Sequence, residues 1–514
     1  MKRFLKSLAM FLAIVAIAAS CEKNIEPENP DEPSAEEKAR RNAIEKAQKY
    51  LRDDIFKTYY YWYDQMNSIA ASYKTDIYNF FDKLLVKKDR WSWMMDGPSY
   101  IADESGVVYG TYGVSLGQLR DPSDPRKVLD YDIAVRFVYP GSPFEKEGVK
   151  RGWILNAIDD KSVDNWLSSE EGAEAFNDLL NYPSTTEAHK FGFIDNDGEY
   201  KTFSLKAAET LTTRPCLAKA IFTAEDYPGL KEKVGYFNYL SFKADNDASG
   251  KNMLEDITEP MQYFKENGVK TLIVDLRYNG GGDSRASDLL VSYLAPKSAR
   301  GKIYVKRTHN KLCSSLNQTQ TIDAPLDVIS ALEKEDKISF SCKPDSPEFE
   351  HLYFITGYGS ASASEMSLNG LKPLADVHHV GGVTYGKPNG MYVFLYPYEQ
   401  KHRTAYDRGD YSALEYVFLP ICFYNMNGQG TEIPDTGMVP DDIRYDDIFN
   451  DFGPGEGNIA ACLHHIVNGT YPAATSPKSR ASVQNAKRVK IALTPEEIDQ
   501  NYGKYTVKPR FFEK

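Results

Sequence analysis

The 514-residue chain contains only six cysteines, and no two of them form a C-x-x-C pair. A dithiol centre is therefore not written into it. No H-E-x-x-H occurs, and neither His378-His379 nor His464-His465 has the spacing of zinc ligands. No catalytic metal and no cofactor is expected. Basic residues are also in deficit: net charge is −12 and the isoelectric point about 5.4. That excludes the basic face a nucleic-acid partner requires. The N-terminal apolar run, Leu8 to Ala19, is shorter than the roughly 20 residues that span a bilayer. Both glycine-rich phosphate-binding patterns, G-x-x-x-x-G-K-[ST] and G-x-G-x-x-G, are absent.

What is present has the balance of a globular protein, with 42% hydrophobic and 26% charged residues, and a high aromatic content of 13% including 35 Tyr. The length argues for more than one domain. Residues 1–20 carry Lys2, Arg3 and Lys6, then the apolar run, then small residues before Cys21. This resembles a bacterial lipoprotein signal peptide. Cleavage before Cys21 would leave that residue lipidated and hold the chain at the cell envelope, facing periplasm or surface, with the outer membrane favoured because Glu22 rather than Asp follows. Residues 21–35 are acidic and Pro-rich, a flexible tether. Without Cys21 the cysteine count is odd, and Cys313 with Cys342 is the pair to test for a disulfide, which export would permit.

Residues 36–100 are dominated by helix formers, with aromatics at helical spacing: Tyr59, Trp62, Tyr63 and Met66, then Tyr78, Phe81 and Leu85. They predict a helical N-terminal domain with an aromatic packing face. Residues 105–210 read as strands and turns. From residue 216 to about 470, strands such as "VKTLIVDLR" and "HLYFIT" alternate with helical stretches, an α/β layer architecture. "YVFLPICFYNM" reads as one late strand and Asn252 to Asn267 as one helix. Residues 471–514 are a polar C-terminal extension.

Three stretches attract chemical attention. "YGSASASEM" contains Ser362-Ala363-Ser364-Glu365, an S-x-x-E capping box that would simply start a helix. The same position, at a helix N-terminus after a strand, also suits a nucleophile, because free N–H groups there favour negative charge. The G-x-S-x-G elbow fails, since Ser360 and Ser364 flank Ser362. A Ser-His-Asp triad stays open, as any His can be distant in sequence and near in space. "VGGVTYGKPNG" places Lys387 in a Gly-rich turn. It is either a solvated charge or, if buried and neutral, a general base. "DLRYNGGGDS" is a tight strand-to-helix turn or a source of backbone oxyanion donors.

The segment "PGSPFEKEGVKRGWILNAIDDKSV" resembles a PDZ domain, a fold that adds a peptide C-terminus as an extra strand. The resemblance implies that the loop at Tyr112, Gly113 and Val114 would receive the carboxylate. "DLRYNGGG", "SASASE" and "TYGK", in this order after a PDZ-like segment, together with "DTGMVPDD", resemble the C-terminal processing (tail-specific) serine proteases, in a Bacteroidetes-type lipoprotein branch. The likeness spans roughly residues 40–445. It implies a multidomain α/β (α+β) protein: a helical N-terminal domain, a PDZ-like β-domain at 105–210 and a ClpP/crotonase-like Ser-Lys protease core at 216–470. It implies Ser362 as nucleophile and Lys387, 25 residues on, as base. Ala363 with Gly281 or Gly282 would form the oxyanion hole. The implied activity is endopeptidase cleavage of unstructured polypeptides near their C-termini. The competing class is an inactive surface lipoprotein that binds peptides through its PDZ domain. Two departures stand out: Met391 occupies the place of a Gln that orients the Lys in several members, and Gly382 replaces the acidic residue of V-G-E-x-T. Ser360 and Ser364 read as small residues that let the substrate backbone approach.

Overall fold

A computed structural model of the chain describes residues 33–322 and 347–478. The signal segment, Cys21, Cys342 and residues 479–514 lie outside the described residues. Among the described residues no helix is long and apolar enough to cross a membrane.

The N-terminal helix Ala35–Lys49 starts where the Ser34 side chain accepts the Glu37 N–H. It carries Glu36 and Glu37 in its first turn and Lys46 and Lys49 in its last, which suits the helix dipole. It runs on into a π-helical stretch, Tyr50–Phe56, and a helix Ile77–Leu84 follows. The aromatic stripe is a packing face, but its first half is not helical: the helix ends at Tyr59 and residues 61–66 are turn and bend. Phe56, Tyr60, Trp62, Phe80, Phe81 and Trp91 are buried together with Phe394, Phe418, Ile421 and Phe423. The helical region thus shares its core with strands more than 300 residues away, and strand Trp93–Asp96 pairs antiparallel with Tyr416–Leu419.

Residues 114–206 form an antiparallel sheet in the order Val114–Arg120, Val128–Val138, Ile154–Ile158, Ala188–Ile194, Tyr200–Lys206. Its core holds Tyr112, Phe144, Phe176, Phe191 and Phe193. Strand Val114–Arg120 lies at the sheet edge, opposite helix Glu170–Asn181 across a small cleft.

The C-terminal α/β region is built on a six-stranded sheet: Cys216–Phe222, Val234–Tyr239, Thr271–Asp275, His351–Thr356, Val377–Gly381, Asp442–Ile443. All neighbours are parallel except the first pair. Thr271–Asp275 is buried along its whole length, as expected of a strand covered on both faces. Helices Glu255–Glu266, Ser284–Leu294 and Ala363–Leu371 contribute to the larger core on one side, and Gly457–Asn468 packs on the other. The expected helix at Asn252 begins at Glu255, because the Asn252 side chain first closes a turn on the Leu254 N–H. The single late strand is two. Pro420 lacks the N–H that would continue one ladder, so Tyr416–Leu419 and Ile421–Asn427 join different sheets.

A buried ionic cluster ties the β-rich region to this core. Arg151 donates to Tyr278 Oη (2.6 Å), Asp446 (2.8 Å) and the carbonyls of Arg136 and Asn450 (2.7 and 2.9 Å). Arg277 spans Asp275, Asp446 and Glu456, the last at 2.6 Å. Burial pushes the Asp446 carboxyl up, but the Arg151 and Arg277 cations outweigh it and leave it at about 2. Arg277→Met would strand buried carboxylates without their cation. The expected loss is about 3–5 kcal/mol of unfolding free energy, read from urea denaturation of the full chain.

Candidate active site

Three adjacent parallel strands, Thr271–Asp275, His351–Thr356 and Val377–Gly381, end at the same edge of the sheet. That edge is where ligands bind in α/β folds. Each strand leads directly into one of the three stretches singled out in the sequence, so 276–282, 357–365 and 382–387 meet there.

Hydrogen bonds lock these turns together. The Asn279 carbonyl accepts the Ala361 N–H (3.2 Å) and the Ser364 hydroxyl (2.8 Å). The Ser360 hydroxyl donates to the Leu276 carbonyl (2.7 Å). Ser360 and Ser364 are buried, so they do not open space for a substrate backbone; they are struts that hold the serine turn against the glycine turn.

Ser362 sits half-buried at the N-terminus of helix Ala363–Leu371, with φ +54° and ψ −111°. A side-chain-bearing residue held there costs on the order of 1–3 kcal/mol, so its neighbours must enforce it. Glu365 does. Its carboxylate, 1% exposed, accepts the Ser362 N–H (3.0 Å) and the Lys387 N–H (2.8 Å) on one oxygen. The other oxygen accepts the Gly386 N–H (2.8 Å) and the Thr384 hydroxyl. The backbones of Ser362 and Lys387 therefore converge on a single atom. Burial pushes the Glu365 carboxyl up, and these four donors oppose that. Thr384 in turn accepts the Met438 N–H at 2.7 Å, which gives "DTGMVPDD" its place as the outer wall of the lysine loop. Gly386, at φ +84°, must be glycine, since a Cβ would lie 2.3 Å from the Asp435 carbonyl oxygen.

Lys387 is buried at 4% exposure, its Nζ 3.8 Å from the Met391 thioether, a weak acceptor. The Gly281 N–H is taken by Asn279 Oδ1 (2.8 Å). Among the described residues, the N–H groups of Gly282 and Ala363 donate to no protein acceptor. Gly282, at φ +136°, packs against the Phe242 carbonyl so closely that a Cβ would sit 2.1 Å from it.

The loop at Tyr112, Gly113 and Val114 lines the cleft beside the edge strand, with Thr111, Leu116, Leu180 and Asn181. Tyr112 contributes backbone only, because its ring is packed on Phe144 and Phe191. Cys313 is buried, and its thiol donates to the Thr58 carbonyl.

Sequence reasoning saw Glu365 only as a capping partner and missed Asn279 and Thr384. The S-x-x-E spacing and the Thr of T-Y-G-K were the available signals.

A family model described as Peptidase family S41 matches residues 233–412, and one described as Peptidase S41 N-terminal domain matches residues 53–93. Residues 233–412 thus form a Peptidase family S41 domain, that of a serine-type peptidase, a hydrolase. A crystal structure described as an S41 protease from Bacteroides fragilis is similar, with a TM-score of 0.60 and 19% identity over 82% of this chain and 97% of that one. At that identity the likeness is one of fold. The photosystem II D1 C-terminal processing protease shows 16% identity and a TM-score of 0.41 over 78% of this chain and 93% of its own. Mature CPAF shows 14% and 0.42 over 84% and 99%. No curated protein sequence matches the chain.

The two struts can be told apart from a reactive serine. Ser360→Ala and Ser364→Ala should each cost about 1 kcal/mol in urea unfolding while leaving a serine in the chain reactive toward a phosphonate.

Proposed function

We propose that the chain is a Ser-Lys endopeptidase that holds an unstructured polypeptide by its C-terminus and cuts near that end, at the cell envelope, anchored by a lipid on Cys21. The observation that carries this reading is the Glu365 oxygen that accepts from both the Ser362 and Lys387 backbones. It sets two chemically complementary side chains on one scaffold at the sheet edge.

In this mechanism Lys387, as the free amine, takes the proton of the Ser362 hydroxyl, and Oγ attacks the scissile carbonyl carbon. A buried setting is the one that favours a free amine over an ammonium. The carbonyl oxygen gains the negative charge and is held by the N–H groups of Ala363 and Gly282, both left open by the fold. Of the two glycines weighed, Gly281 already spends its N–H on Asn279. The C–N bond then breaks as Lys387 returns the proton to the leaving amine. Water, deprotonated by Lys387, hydrolyses the acyl-enzyme and frees Ser362. The strained φ of Ser362 suits a side chain that must project from a sharp turn.

The β-rich region supplies the grip. Its strand Val114–Arg120 ends the sheet beside the cleft, which closes at the 112–114 loop where a peptide carboxylate would be received; the Gly113 N–H is already taken by Thr111 Oγ1 at 2.9 Å. The apolar wall of Val114, Leu116 and Leu180 favours a substrate ending in an aliphatic residue.

One experiment tests the dyad and the anchor together. The mature chain is treated with a serine-directed phosphonate, digested and mapped by mass. The expected adduct is on Ser362, absent in Ser362→Ala and strongly reduced in Lys387→Met, and the N-terminal peptide begins at an acylated Cys21. An adduct on another serine, or full reactivity in Lys387→Met, contradicts the dyad; an unmodified N-terminus contradicts the anchor.

A further inference from the structure

The loop that carries Lys387 is gripped from outside the core as well as from within. Asp89, at the end of the helical N-terminal region, accepts the N–H groups of Trp91 and Ser92 on one oxygen (2.9 Å each) and the hydroxyls of Tyr60 and Ser92 on the other. Tyr60 is fully buried, so this turn is pinned into the aromatic core. Ser92 also accepts the Ile421 N–H (2.8 Å), which fastens the turn to the sheet beneath.

The pinned turn presents two donors to the lysine loop. Trp91 Nε1 donates to the Gly386 carbonyl at 3.1 Å. Arg90 Nη2 reaches the carbonyls of Gly386 (3.0 Å), Tyr385 (3.1 Å) and Asp435 (2.6 Å). The Arg90 guanidinium also lies 4.6 Å from the centre of the Tyr385 ring and 4.9 Å from that of Trp91.

The peptide unit that joins Gly386 to Lys387 is therefore held at both ends by different parts of the chain. Its carbonyl is fixed by Arg90 and Trp91, and its N–H by Glu365. Local sterics would not fix it, because the residue on its N-terminal side is a glycine at positive φ, with wide freedom to rotate. Turning this plane breaks bonds on both sides and swings the Cα–Cβ bond of Lys387.

We propose that Arg90 and Trp91 are positioning residues for Lys387: the helical N-terminal region is part of the active-site scaffold and sets the direction from which Lys387 reaches Ser362. This rests on Lys387 being the general base. Because these donors act on the base and not on the substrate, their loss falls on kcat and on the pH profile and spares KM.

The test uses the full mature chain with Arg90→Gln, Arg90→Lys and Trp91→Phe. The measurements are kcat and KM on an unstructured peptide, the phosphonate labelling rate against pH, and the melting temperature. The expected result is a fall in kcat of about tenfold or more for Arg90→Gln and for Trp91→Phe, as for the loss of a charged or buried hydrogen bond. KM stays within twofold, the pH profile moves, and Arg90→Lys recovers part of the loss. The proposal is overturned if kcat stays within twofold and the pH profiles superimpose. It is equally overturned if kcat falls only in step with melting below the assay temperature while the profile is unmoved. Should Trp91→Phe fail to fold, Arg90→Gln decides, since Arg90 is exposed. Full activity in Lys387→Met would instead remove the base itself. An inactive Lys387→Met beside native Arg90 and Trp91 variants would remove this inference alone.

Discussion

The buried carboxylate of Glu365 holds the serine turn and the lysine loop on two oxygen atoms. Three backbone N–H groups and one hydroxyl converge on it. Such a group is expensive to bury and becomes tolerable only because every donor is in place. The consequence is cooperative. Any shift of the 384–387 loop takes donors away from Glu365, and the loss is felt at Ser362, whose positive φ depends on the same carboxylate. Strain at the serine and alignment of the lysine are thus two readings of one interaction.

Around that carboxylate the fold adds constraints in layers. The parallel strands deliver three turns to one edge, and Ser360 and Ser364 fasten the serine turn to the glycine turn. Behind the glycine turn, Arg277 and Tyr278 are embedded in the ionic cluster that also holds Arg151 of the β-rich region. The turn that carries Gly282 is therefore continuous, through buried charges, with the region that holds the cleft beside residues 112–114. In front, the Asp89–Ser92 turn closes the lysine loop from the helical region. The site is assembled from four separated stretches of sequence, none of which encloses it alone.

Much of this was legible in the sequence where the signal was local. Largely apolar runs marked the central strands, and Gly469, at φ +71°, ends the last helix where the sequence put its stop. Ser362 and Lys387 stood out because small residues and glycines cluster around them, and those clusters serve close backbone approach. What stayed hidden depended on partners far along the chain. The S-x-x-E spacing is satisfied by a local cap, so nothing in it tells that Glu365 also reaches residues 384, 386 and 387. The aromatic stripe of residues 59–85 announced a buried face but not that strands near 394–423 would cover it. Arg151 and Arg90 look like ordinary surface cations in sequence, and only the tertiary fold brings carboxylates to the one and carbonyls to the other. Pro420 was a visible breaker whose meaning, a change of sheet, depended on which strands lie on either side.

The central claim is that one carboxylate sets both Ser362 and Lys387 in place. Its most direct test is the rate at which a serine-directed phosphonate modifies Ser362 in Glu365→Gln, with the folded state verified by circular dichroism. A carboxamide fills the same space but turns an NH2 toward N–H donors that need an acceptor. Unpaired donors of this kind cost about 1–3 kcal/mol each. The account predicts at least a tenfold slower modification in protein that remains folded. A native rate in folded Glu365→Gln would contradict it, because the serine and lysine would then be aligned without the carboxylate.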